Sequence, residues 1–195
     1  HAVQTNRLIT THLRSLPTIC VVMNRNDWFQ SGRGLYVTQA LDGTEYRCSF
    51  EYFDPDGDGR SIQQNVAVAM AGGVTGGGTS LDRWKSYKLS MRPRFKTQTD
   101  NGTITGGGPK LDLSIFPDSP VKSMDTIVLD AVLNNSWTHP SASQQTNVML
   151  IQDQYVADLH NAMGGYSPHG GHAHMYIDGL YWGVYYIHER PDHSW

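Results

Sequence analysis

The dipeptide Asp178-Gly179, set between strand-like runs at 172–177 and 180–189, constrains the fold of this 195-residue chain more than any other feature. Both residues accept a positive φ, which a two-residue type I′ hairpin turn requires. A tight turn fixes register. With Ile177 opposite Leu180, Met175 faces Trp182 and Ala173 faces Val184, and these six residues are expected to form the buried side. The other side then carries Tyr176 with Tyr181, His174 with Gly183, and His172 with Tyr185.

Period-two alternation recurs elsewhere. Tyr46, Cys48, Phe50 and Tyr52 share one face of a strand, Val66, Val68 and Met70 one face of another, and 18–23 and 125–133 read as buried strands. Between Trp84 and Phe95 the alternation puts Lys85 with Tyr87, Leu89 and Met91 on the apolar side, and Lys88 with Ser86, Ser90 and Arg92 on the other. The one long helical pattern is Ser143 to Met163, where Val148, Ile151, Tyr155, Leu159 and Ala162 recur at three- and four-residue spacing before Gly164-Gly165. The expectation is a single α+β domain over residues 1–195, mostly antiparallel β-sheet with one long amphipathic helix. Charged residues are only 17%, against a usual figure of about 25%, and Gly 20 and Pro 9 suit a chain of many turns.

A formal charge of -3, scattered without blocks, leaves no electrostatic footprint for a polyanion, so nucleic acid is not an expected partner. Apolar runs such as Ile19 to Met23 are far short of the ~20 residues of a membrane-spanning helix. Cys20 and Cys48 allow at most one disulfide, and two free thiols are the simpler expectation.

Several groups could carry chemistry. The glycine-rich stretch from Gly72 to Gly78, which includes Gly73, Gly76 and Gly77, leaves backbone N–H groups open to phosphate, and Lys85 follows on the apolar face. An exposed loop with a lysine snorkelling past apolar neighbours is the plainer alternative. Asp54, Asp56 and Asp58 alternate across a glycine-containing turn as Ca²⁺ ligands do, but positions eight and twelve of an EF-type loop fall on Ser61 and Asn65, so a simple acidic turn is favoured. His172 and His174 project from one strand face about 7 Å apart, close enough to share Cu or Zn, with His169 and His188 nearby; no third ligand is fixed by spacing, which favours structural histidines. His1 admits an N-terminal copper site. Exposed Trp28, Trp137, Tyr166 and Trp195, with Ca²⁺ at the acidic loop, would suit a carbohydrate or cell-wall binding module.

The ordered motifs resemble the CotH (spore coat protein H) family of atypical protein kinases in its extended bacterial surface and secreted form. They are Leu16-Pro17-Thr18-Ile19, Gly34-Leu35-Tyr36-Val37, Ile62-Gln63-Gln64-Asn65-Val66, Ala71-Gly72-Gly73, Lys85-Ser86-Tyr87-Lys88-Leu89, Asp125-Thr126-Ile127-Val128-Leu129, Asn135-Ser136-Trp137, Ala162-Met163-Gly164, and Leu180-Tyr181-Trp182-Gly183-Val184-Tyr185 through His188-Glu189-Arg190-Pro191-Asp192. The resemblance implies a kinase-like N-terminal lobe, the first part of a domain cut from a longer protein, with the metal-binding and catalytic acids downstream. It further implies ATP and Mg as cofactors, nucleotide contacts at Gly72, Gly73, Gly76, Gly77, Lys85 and Glu189, a protein hydroxyl or cell-surface material as partner, and an extracytoplasmic or cell-surface place in a bacterium. His1 then reads as an internal boundary rather than a copper ligand. The binding module and a histidine-ligated copper or zinc enzyme stand as the alternatives.

Overall fold

The computed structural model describes residues 7–38, 44–56, 60–72, 88–95, 97–100, 103–116, 118–132, 135–137, 139 and 141–191. Short helices α1 (Arg7–His12), α2 (Arg25–Phe29) and α3 (Leu35–Thr38) flank β1 (Thr18–Val22) near the start of the chain. There follow β2 (Tyr46–Phe53), β3 (Ile62–Ala71), β4 (Ser90–Arg94), the β5 (Thr97–Asp100) and β6 (Thr103–Gly107) pair, and β7 (Ile127–Asp130). Helices α4 (Ala142–Gln145) and α5 (Gln152–Ala162) precede the hairpin β8 (Gly170–Ile177) and β9 (Leu180–Glu189).

Seven strands form a closed barrel in the order β1-β2-β3-β4-β7-β9-β8, and β1 closes it by pairing parallel with β8, Thr18 opposite His174 and Val21 opposite Ile177. This corrects the expected α+β sheet with one long amphipathic helix and a kinase-like lobe. Neighbouring strands in a hairpin can be read locally, but a parallel pair between chain segments some 150 residues apart leaves no short-range signal. Closure removes both sheet edges and turns one face of every strand inward. The interior holds Ile19, Val21, Phe50, Val66, Val68, Met91, Ile127, Leu129, Met175 and Tyr185, with Phe50 and Phe95 meeting edge to face at 5.3 Å. Cys20 and Cys48 are both free thiols, Cys48 buried.

The long helix expected over 143–163 is two short ones. Thr146 Oγ1 and Asn147 Nδ2 both donate to the Ser143 carbonyl, at 3.0 and 2.8 Å. Such local side-chain bonds compete with helix propagation, and the chain leaves the helix there. The apolar stripe is not a core contact either: Ile151, Tyr155 and Leu159 are exposed, and α5 buries no residue.

Asp178 (φ 48) and Gly179 (φ 79) do make a tight turn, which is tied to β1 because Asp178 Oδ1 accepts from Met23 N at 3.0 Å and its own N–H donates to Val21 O. Ile177 pairs with Leu180, but a bulge between Met175 and Tyr176 shifts everything beyond it. Met175 therefore faces Gly183 rather than Trp182, and Ala173 faces Tyr185 rather than Val184. Tyr185 and Ile187 occupy the core while Leu180 and Val184 are exposed. Gly183 absorbs the extra residue at φ 100, a conformation open to glycine and costly for any other side chain. Gly183→Ala is expected to cost about 1–3 kcal/mol, read as a lower urea midpoint with an unchanged m-value.

Candidate functional site

Two neighbourhoods on β9, one at its middle and one at its C-terminal end, gather the polar chemistry. At the first, Lys88 lies just ahead of β4. Its Nζ donates to the Val184 carbonyl at 2.5 Å and stands 4.4 Å from the centroid of the Tyr185 ring. Burial pushes the ammonium down to about 8, against the opposing pull of the Asp130 carboxylate. The surrounding groups are fixed: Tyr36 Oη accepts from Leu89 N (3.1 Å) and from Trp182 Nε1 (2.6 Å), while Tyr185 Oη donates to Leu89 O (3.1 Å). Asp130 Oδ1 accepts from Ser90 Oγ and Val132 N. Gly72, at the end of β3, is exposed. Gly73, Gly76, Gly77 and Lys85 lie outside the described residues.

Strand alternation assigned the buried lysine to position 85 and the polar face to Lys88. The structure half-buries Lys88, because regular pairing begins at Ser90 and Lys88, two residues earlier, turns toward the β9 bulge, where its Cε comes within 3.8 Å of the position a Cβ on Gly183 would take. The missed signal was the glycine opposite. Since the folded state disfavours the Lys88 ammonium, folded protein binds fewer protons than unfolded protein between pH 8 and the ordinary lysine range. Stability should therefore rise with pH from about 8 upward. Competitive acylation should report a Lys88 midpoint near 8, and Lys88→Met should abolish the rise in urea midpoint over that interval.

At the second neighbourhood Glu189 is buried, and both carboxylate oxygens are used. Oε1 accepts from Ser119 Oγ; Oε2 accepts from His169 N at 2.9 Å and lies 3.2 Å from His169 Nδ1. The Glu189 N–H donates to His169 O, so its backbone edge is occupied as well. Beside this network a hollow of about 280 Å³ is lined by Pro120, Val121, Tyr166, Ser167 and His169. Its outer wall is pinned by a reciprocal pair, Asn161 Nδ2 to Ser167 O and Ser167 N to Asn161 Oδ1. Lys88 touches Val184 and Glu189 is five residues on, so at about 3.3 Å per residue the two neighbourhoods are roughly 16 Å apart along the strand.

The other groups are dispersed. Asp54 Oδ2 pairs with Arg60 Nε at 2.8 Å and its Oδ1 accepts from Asp56 N, Asp56 is exposed, and Asp58 lies outside the described residues. His172 and His174 share a strand face, but the bulge sets them opposite Tyr186 and Val184 instead of Tyr185 and Gly183. His174 is buried, with Nδ1 at 3.1 Å from Tyr181 Oη and Nε2 at 3.1 Å from His12 O, so both ring nitrogens are engaged. His172 lies against the Tyr186 ring. Among the described residues no group of three His, Cys, Asp or Glu side chains could hold a metal ion. No described helix is long and apolar enough to cross a membrane. Trp28 is wholly buried, whereas Trp137 and Tyr166 are exposed, and Trp195 and His1 lie outside the described residues.

Comparison with curated proteins finds no match. The family model described as CotH kinase protein matches residues 74–195, well over half of the chain. That stretch contains β4, β7, β8 and β9, and with them both Lys88 and Glu189; the chain belongs to the CotH kinase protein family.

Proposed function

We propose that this domain holds Mg-ATP for phosphoryl transfer to a protein hydroxyl, with the glycine stretch at 72–77 and Lys85 at the phosphates and the β9 segment around Glu189 near the base. The observation that carries the reading is the CotH kinase protein match, which spans Lys85, Lys88 and β9. Backbone N–H groups and a lysine are what a nucleotide triphosphate needs, because phosphoryl transfer depends mainly on positioning and on neutralising charge. In the reaction the acceptor oxygen bonds to the γ-phosphorus, the bond to the β–γ bridging oxygen breaks, ADP departs and the hydroxyl proton passes to a base. The family resemblance implies that the metal ligands and the base are acids other than the residues named here. The setting proposed is extracytoplasmic, at a bacterial cell surface.

Calorimetric titration with Mg-ATP tests this reading. Weak, saturable binding is expected, with Lys85→Ala weakening it by about tenfold, the size of one charge-assisted contact, and Lys88→Ala weakening it less. Binding that both variants retain in full would remove the phosphate role from this end of the barrel.

A further inference from the structure

Three arginines converge on the outer face of the barrel, away from Lys88. Arg92 and Arg94 lie two residues apart on β4 and point outward, since Met91, Pro93 and Phe95 take the inward positions. Arg94 bridges to Thr126, and Ile127 pairs with Glu189, so Arg190 continues the Thr126 row on the next strand. Arg94, Thr126 and Arg190 thus cross three neighbouring strands, about 10 Å from end to end at ~4.8 Å per strand.

Glu45 is buried beneath them. Its Oε1 lies 2.7 Å from Arg94 Nη1 and 3.9 Å from Arg92 Nη2, so two guanidiniums share one oxygen, and Arg92 Nε is buried without an acceptor. Burial, then the charges of Arg190 and Arg94, depress the Arg92 pKa, with Glu45 opposing. The adjacent Lys110 is matched by Asp125 at 3.0 Å. Three guanidiniums against one carboxylate leave a local excess of positive charge in a chain whose net charge is -3. Guanidinium forks match the oxygens of a phosphate in paired hydrogen bonds, which a lysine ammonium cannot reproduce.

We propose that Arg92, Arg94 and Arg190 form a receptor for a phosphate monoester dianion on the outer face of the β4–β7–β9 sheet. The site adjoins the segment of the nucleotide reading, since Arg190 follows Glu189, but it uses different side chains: the buried Glu189 carboxylate is held by Ser119 and His169, while Arg190 is exposed. The phosphate could arrive free in solution or on a phosphorylated serine of a protein, and the probes separate these sources.

The full chain is titrated calorimetrically at low salt with the peptide Ala-Ala-phosphoserine-Ala-Ala, its unphosphorylated form, and inorganic phosphate. Saturable binding of the phosphopeptide, none of the unphosphorylated peptide, and weaker binding of inorganic phosphate support the site with a protein-borne ligand. Equal affinity for the two phosphate probes supports it with a free ligand. Arg190→Gln, a change at an exposed residue, and Arg92→Lys, which keeps the charge and loses the fork, should each weaken binding at least fivefold while circular dichroism shows the fold retained. No saturable binding of either phosphate probe overturns the proposal, and so does affinity unchanged in both folded variants.

Discussion

Phe50→Ala is expected to lower the unfolding free energy by about 3–5 kcal/mol, the range for large aromatic truncations in a filled core. Phe50 is wholly buried in β2, and its ring meets Phe95 edge to face across the interior. In a closed barrel the void left by the ring cannot be filled by one sheet sliding over another, because every strand is held on both sides. Chemical unfolding followed by tryptophan fluorescence would read the change. A loss under 1 kcal/mol would mean that Phe50 is not packed in a closed interior.

Glu189→Ala is expected to cost a similar amount, about 3–5 kcal/mol, for a different reason. Removing one member of a buried polar network strands the others, and here Ser119 Oγ, His169 Nδ1 and the His169 N–H all lose their acceptor. Glu189→Gln keeps one acceptor oxygen and should cost roughly half as much. For a chain of this size the alanine variant should melt about 10 °C lower. Equal melting temperatures for Glu189→Ala and the parent would show that the carboxylate does not hold the Ser119 and His169 segments to β9.

What the sequence disclosed about this fold was local. The turn at Asp178-Gly179 and the strand faces of Tyr46, Cys48, Phe50 and Tyr52 follow from short-range chemistry, and they stand in the structure as read. The bulge did not announce itself, although Gly183 within an otherwise aromatic and β-branched strand was its trace. Barrel closure rests on a parallel pairing of β1 with β8, which no spacing encodes. The helix failed because periodicity records which residues are apolar, whereas Thr146 and Asn147 decided where the helix stops. At the candidate site, Lys88 was assigned to the polar face because the alternation was carried past the point where pairing begins. The arginine cluster was invisible for another reason: Arg92, Arg94 and Arg190 are brought together only by the registers of β4, β7 and β9.

Amide chemical-shift mapping with Mg-ATP tests the nucleotide-holding role most directly. The account predicts saturable shifts concentrated at residues 72–78, at Lys85 and Lys88, and along β9 from Val184 to Glu189, with the opposite barrel wall around Phe50 unmoved. Spectra unchanged at millimolar Mg-ATP, or shifts confined to residues remote from both Lys85 and β9, would contradict it.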